Sequence, residues 1–385
     1  MPQLANRASA FPTFHAVSLF KETLAMAAAG KSIINMGIGE PDFTAPTSVI
    51  DALSRAARAG LSAYTSPAGI PALREAIARY YNEHFGTRIN PARVFVTAGG
   101  SGALTLACAV LVDSGAEVLL PDPCYPANCN FVVAANGRPK LVPTSAEKRF
   151  QLSAQDIRDN WGPDTRGVLI ASPSNPTGTS IAPDELAALL AEVRARNGFT
   201  IMDEIYLGLS YEGRAKSALT LDDDVIVINS FSKYFHMTGW RLGWMIVPEH
   251  MVPLLERVGA SLAICAPTLS QHAALACFEP EAMAIYEERR EAFRQRRDYL
   301  VPEFEKLGIG IPAKPDGAFY VYADIGKLGE DSVSFAYRLL RETGISALPG
   351  ADYGPAAHGR HTMRFSYCVG MDALREAVHR IGKLL

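Results

Sequence analysis

The feature that most constrains this chain is an alternation. Between about residues 94 and 250, short runs rich in Val and Ile recur, and the stretches between them carry helical patterns. Strands that alternate with helices pack most simply as right-handed crossovers in a mostly parallel sheet. Seven runs read as strands: 94–99, 117–121, 140–144, 167–172, 200–204, 225–230 and 242–247. Several are apolar almost throughout, so both faces of the sheet should be covered. One covering helix is legible within 182–197, with proline and acids at its start, arginines at its end and Gly198 just beyond.

The remaining length calls for a second lobe, since 385 residues exceed what a single core usually serves. A long charged helix from about 279 to 307, strand-like runs at 319–325 and 361–368, a helix near 331–343 and a terminal helix read as a smaller α+β unit. The expected fold is therefore α/β: a large domain with a mostly parallel seven-stranded sheet flanked by helices, plus a small domain drawn from both ends of the chain. The expected bounds are 1–45 for the N-terminal segment joining the small domain, 46–280 for the large domain and 281–385 for the small one. A net charge of −3 gives no electrostatic reason to expect nucleic acid or an anionic membrane as partner. The longest uncharged apolar run, 103–112, is about half a bilayer span, and the first residues lack the apolar core of a signal peptide, so a cytoplasmic protein is expected. The six cysteines are scattered and show no paired CxxC spacing, which suggests reduced thiols and no metal site.

In open α/β sheets ligands sit beyond the carboxyl ends of the strands. One end runs into GGSGAL (99–104), a glycine-rich turn at a helix N-terminus that suits a phosphate. The next gives DPCYPA (122–127), where Tyr125 could pack in the core or offer a face to a flat ring. SPSNPTG (172–178) fixes a loop bearing Asn175, and IMDEIY (201–206) places Asp203 at the end of a buried strand with Tyr206 three residues on. A carboxylate there needs a cation or a strong donor. The last end opens SFSKYFHMTGWRLGW (230–244), with one lysine, Lys233, among apolar and aromatic neighbours. A lone lysine in such company usually snorkels to solvent. One heterocyclic phosphate ester would instead use the whole set: an aldehyde for Lys233, a phosphate for the Ser101 turn, Ser230, Ser232 and Arg241, and a ring nitrogen for Asp203. Its ring face would meet Tyr125 and its phenolic oxygen Asn175 and Tyr206. That ligand is pyridoxal 5′-phosphate.

The chain resembles the fold-type-I, class I/II aminotransferases of the aspartate aminotransferase superfamily. The resemblance runs through GIGEPDF (37–43), YTSPAG (64–69), SNPTG (174–178), DEIY (203–206), SFSK (230–233) and RFSY (364–367), in that order over nearly the whole chain. It implies that Lys233 bonds the cofactor aldehyde and shuttles the substrate α-proton, and that Asp203 keeps the pyridine nitrogen protonated. It further implies that Asn175 and Tyr206 hold the ring oxygen, that Tyr125 stacks on the ring, and that Ser101, Gly102, Ala103, Ser230, Ser232 and Arg241 anchor the phosphate. Arg364 would clamp the substrate α-carboxylate, with the Gly39 backbone and Asn175 beside it. Tyr64 would reach the phosphate of a neighbouring subunit, which implies a homodimer with shared sites. The implied activity moves an amino group from an L-amino acid to a 2-oxo acid, with 2-oxoglutarate the expected acceptor, by a ping-pong cycle; the same fold also serves C–S β-lyases. One departure from the family pattern is Asn128, where relatives often carry a second aromatic. The segment 263–271, expected near the pocket, offers no cation for a distal carboxylate, and Phe14, His15 and Val17 are expected to line the pocket instead, which favours apolar, aromatic or alanine-like donors.

Overall fold

The computed structural model describes residues 3–11, 14–213 and 215–385. All seven anticipated strands form and share one sheet: β1 (Val94–Thr97), β2 (Glu117–Asp122), β3 (Arg138–Pro143), β4 (Thr165–Ala171), β5 (Phe199–Asp203), β6 (Ile226–Ser230) and β7 (Gly243–Ile246). Their order is β1-β7-β6-β5-β4-β2-β3. Every neighbouring pair is parallel except those made by β7, which runs antiparallel to both β1 and β6. The β-branched residues do here what their stiffness favours, since side chains alternate between two buried faces. Ile201 and Ile228 enter one apolar cluster, whereas Met202 and Val227 enter another. Helices cover both faces, which explains why these strands are apolar throughout.

The helix anticipated at 182–197 spans Pro183–Arg194. Proline occupies its first turn with Asp184 and Glu185, and Leu186, Leu189, Leu190 and Val193 form its buried stripe. The long charged helix spans Pro280–Lys306. Beyond it lies a three-stranded antiparallel sheet in the order β9 (Leu348–Pro349), β10 (Thr362–Ser366) and β8 (Tyr320–Asp324). Ser332–Thr343 and Met371–Leu384 are its helices. The first of these begins at Asp331, whose carboxylate accepts from the Val333 and Ser334 amides, and ends at Gly344 in the left-handed region. The N-terminal segment reaches this part of the chain: Ile34–Asn35 pairs in parallel with Ile345–Ser346.

One glycine fixes how closely the large sheet approaches the helix Gly99–Leu111. A Cβ on Gly243 would stand 2.6 Å from the Gly99 carbonyl carbon and 2.7 Å from the Gly100 nitrogen, and backbone cannot swing aside as a side chain can. Gly243→Ala should therefore cost about 1–3 kcal/mol or more, and a thermal midpoint equal to that of the wild type in calorimetry would contradict this close approach.

Candidate active site

A cavity of about 500 Å³ opens at the carboxyl ends of the parallel strands. Several strand ends deliver side chains to it, as the topology favours. Asp203 ends β5 and Ser230 ends β6, with Ser232 and Lys233 in the turn that follows. Tyr125 follows β2 and Asn175 follows β4; Tyr206, Arg241, Gly39 and Arg364 complete the wall. Residues nearly the whole chain apart thus meet in one space.

Lys233 is half-buried at the cavity wall, and desolvation of its amine pushes it down to about 8 against an opposing pull from Cys368, with the Arg364 and Arg241 guanidinia adding to the fall. The amine donates to the Gly39 carbonyl at 2.6 Å. Asp203 moves the other way, up to about 6, because burial penalises its charge more than the Ile205 amide at 3.0 Å and the Lys233 charge favour it. Tyr206 and Tyr320 share a hydroxyl hydrogen bond of 2.8 Å. The Gly39 loop is pinned from behind by Arg296, whose guanidinium grips both oxygens of Asp42 at 2.7 and 2.9 Å. A Cβ at Gly39 would stand 2.1 Å from the Tyr320 hydroxyl, so a larger residue would have to displace Tyr320 from its bond with Tyr206.

Arg364 leaves β10 fully buried, and nothing can discharge it. Its guanidinium lies 4.3 Å from the Tyr320 ring centre, donates to Asn175 Oδ1 at 3.0 Å and also to the Gly37 carbonyl. Its Nε finds no acceptor among the described residues. A buried donor left open in this way suits an incoming carboxylate.

The anion end is built on the helix Gly99–Leu111, whose first amides have no partner within the helix. Gly100 and Ser101 line the cavity there; Gly102 and Ala103 do not. The reason is helical geometry. With the helix starting at Gly99, the amides of Gly102 and Ala103 already belong to its internal ladder, so of the expected Ser101, Gly102 and Ala103 only Ser101 stays at the cavity, joined there by Gly100. Arg241 packs over this end: a Cβ on Gly99 would lie 2.7 Å from its guanidinium. Ser230 Oγ lies 3.0 Å from Ser232 Oγ and donates to the Leu242 carbonyl at 3.1 Å. An anion-receptive helix end, a guanidinium and two hydroxyls fit a phosphate; the near-neutral amine fits an aldehyde, and the buried carboxyl fits a ring nitrogen.

Other expectations land elsewhere. Tyr64 is 79% exposed and does not line the cavity of its own chain. Phe14 and Val17 line it, but His15 turns away and Ala16 takes its place. The segment 263–271 does not line it, and Asn128 is buried outside it. Sequence reasoning missed Tyr320, Leu348, Asp352 and Tyr353. The alternation in FYVYADI (319–325) was a usable signal for Tyr320, while nothing periodic marks Asp352 or Tyr353.

A mostly parallel sheet that brings a depressed lysine, a buried aspartate and a helix-borne anion cradle into one cavity defines a pyridoxal-phosphate-dependent enzyme of fold type I. Residues 31–381 match the family described as aminotransferase class I and II, and the chain belongs to that family. It is a transaminase, and pyridoxal 5′-phosphate is its cofactor. It is 36% identical over 355 residues to the valine–pyruvate aminotransferase of Mycobacterium tuberculosis, covering 92% of this chain and 91% of that one. The crystal structure of an aminotransferase from Mycobacterium tuberculosis superposes with a TM-score of 0.95 at 35% identity, covering 100% of this chain and 99% of the other. The aspartate aminotransferase of Thermus thermophilus with maleate gives a TM-score of 0.93 at 32% identity, with full coverage of both chains. Among the described residues no helix is long and apolar enough to cross a membrane, and no cluster of side chains could hold a metal.

The raised Asp203 carboxyl has a consequence for the protein stripped of cofactor. Its folded value of about 6 exceeds the unfolded value of about 3.9, so ionisation costs stability, increasingly from about pH 4 and fully above about pH 6. Asp203→Asn should therefore raise the thermal midpoint of the cofactor-free protein at pH 8, with an advantage that shrinks as pH falls from 6 to 5. The same variant should lose most of the stabilisation that added cofactor gives the wild type; equal gains in both would remove the carboxylate from the cofactor site.

Proposed function

We propose that the enzyme transfers the amino group of an apolar L-amino acid to a monocarboxylic 2-oxo acid by a ping-pong cycle. The observation that carries this reading is the single open donor edge of Arg364, set in a cavity that also holds Lys233 and Asp203. One guanidinium can receive one α-carboxylate, so donor and acceptor must use the site in turn.

Pyridoxal 5′-phosphate, when bound, supplies a carbonyl for the amine and a ring that takes up the electron pair of the α-carbon. In this proposal the chain's own residues do the rest. Arg241, Ser230, Ser232 and the free amides at Gly100 and Ser101 hold the phosphate. Asp203 keeps the proton on the ring nitrogen, which in turn gives its buried carboxylate the cation it lacks. Tyr125 lies against the ring, and Asn175 and Tyr206 hold its oxygen. Lys233, depressed to about 8, has enough neutral amine near pH 7–8 to attack a carbonyl and later to move a proton at the substrate α-carbon. Arg364 and Asn175 orient the α-carboxylate, while Phe14, Val17, Leu348 and Tyr353 keep water from the reacting carbon.

The side-chain end of the cavity decides the substrate class. Among the described lining residues the cations are Lys233, Arg241 and Arg364, and each already serves the cofactor or the α-carboxylate. 2-Oxoglutarate, the acceptor expected from family resemblance, would bring a second carboxylate to a wall without a free cation. A monocarboxylic acid such as pyruvate meets no such penalty, and the relative named for valine and pyruvate supports the same choice. We also propose a homodimer, in which the exposed Tyr64 reaches the neighbour's phosphate.

A half-reaction screen tests the function. Purified enzyme should pass from the aldehyde to the amine form of the cofactor, with release of a 2-oxo acid, on adding valine or alanine; release of pyruvate and ammonia from a cysteine conjugate without that change would mark a C–S β-lyase instead. Arg364→Ala should lower kcat/KM for every amino and oxo acid by about a hundredfold or more, with cofactor retained. An unaltered kcat/KM would take the α-carboxylate away from Arg364.

A further inference from the structure

Asp352 is a charged residue in the cavity wall to which the roles above give no part. Its place is unusual. The helix His15–Ala28 begins at Phe14, which has no side chain able to cap it. The missing cap arrives from the far end of the chain: Asp352 accepts from the His15 amide at 3.0 Å with one oxygen and from the Ala16 amide at 2.7 Å with the other. Such a two-amide contact at a helix N-terminus favours the ionised carboxyl. Burial raises the Asp352 carboxyl above the ordinary carboxylate range, and the Ala16 and His15 amides, followed by the charges of His15 and Arg364, hold that rise in check.

The carboxylate is thus anchored in the wall of the cavity that Arg364 also lines. Leu348 pairs with Arg364 across β9 and β10, and Asp352 follows in the next turn beside Tyr353, whose ring lies 5.4 Å from the Arg364 guanidinium. Phe14 and Val17 approach from the helix that Asp352 holds. An amino acid whose α-carboxylate sits on Arg364 therefore presents its side chain to a wall of apolar groups and one fixed negative charge.

We propose that Asp352 is a specificity-determining residue, which bars a second carboxylate from the side-chain end of the pocket and fixes the apolar roof over it. This rests on the transaminase reading with Arg364 as the α-carboxylate site. Discrimination here works by repulsion rather than by an added attraction for the favoured substrate. A carboxylate brought against Asp352 would meet a like charge in a partly dehydrated space, whereas valine or pyruvate would meet only the apolar part of the wall.

The test uses the full-length holoenzyme and compares kcat/KM for L-glutamate with that for L-valine, and for 2-oxoglutarate with that for pyruvate. Asp352→Asn should raise both dicarboxylate-to-monocarboxylate ratios by about tenfold, the scale of a partly screened charge pair. Asp352→Ser, neutral and still able to accept from a helix amide, should do the same if the asparagine variant folds poorly. Asp352→Glu, which keeps the charge, should leave the ratios low. A purely structural role would lower all four constants together in the neutral variants; that result, or ratios that do not move, overturns the proposal. A wild type inactive with apolar donors would overturn the substrate reading of the preceding section instead, and the ratios in the variants would still decide the part played by Asp352.

Discussion

The structure depends on holding several charges in one cavity that excludes much of the water around them. Three cations and two carboxylates line it. Desolvation presses Lys233, Asp203 and Arg364 towards their neutral forms, and each answers as its chemistry allows. Lys233 comes down to about 8 and Asp203 goes up to about 6, so both sit near the point where a proton can change hands. Arginine has no such escape. Arg364 is instead set against the Tyr320 ring and given a carbonyl and an amide oxygen, with one nitrogen left open. Reactivity and recognition arise from the same burial, expressed through different side chains.

That burial needs two rigid supports meeting at an edge. The parallel sheet supplies Asp203 and the Lys233 turn from adjacent strand ends, and the small antiparallel sheet supplies Arg364. Between them runs the loop 37–43, held by the Arg296–Asp42 pair and fitted so tightly at Gly39 that a side chain there would have to displace Tyr320. The loop backbone serves both sides: Gly37 accepts from Arg364 and Gly39 accepts from Lys233. Two glycine carbonyls of one short loop thereby couple the two functional cations.

Much of this is legible in the amino-acid sequence. Period-two and continuous apolar runs located every strand of the large sheet, and the rule that ligands lie at strand ends singled out Tyr125, Asn175, Asp203 and Lys233. Motif order added Arg364, which no local pattern would have chosen. What failed did so for physical reasons. The anion cradle expected at Ser101, Gly102 and Ala103 keeps only Ser101 at the cavity, because a glycine-rich string does not say where helical hydrogen bonding begins, and one turn of helix decides which amides stay free. Asp352 and Tyr353 lie in a 3-10 turn, Gly350–Tyr353, with no periodicity to read. The partner of Asp352 is a helix start more than 300 residues away, a relation that only the folded chain contains.

The pairing of Ile34–Asn35 with Ile345–Ser346 bears on the order in which the molecule can be made. Ile34 and Asn35 find their strand partners more than 300 residues later in the chain, so the earlier segment must wait while that intervening length is made. During that wait the large sheet can close around its own crossovers, but the roof over the cavity cannot be laid. Catalytic competence thus waits on residues as late as Arg364, and a product stopped before them would expose an open trough in place of an enzyme.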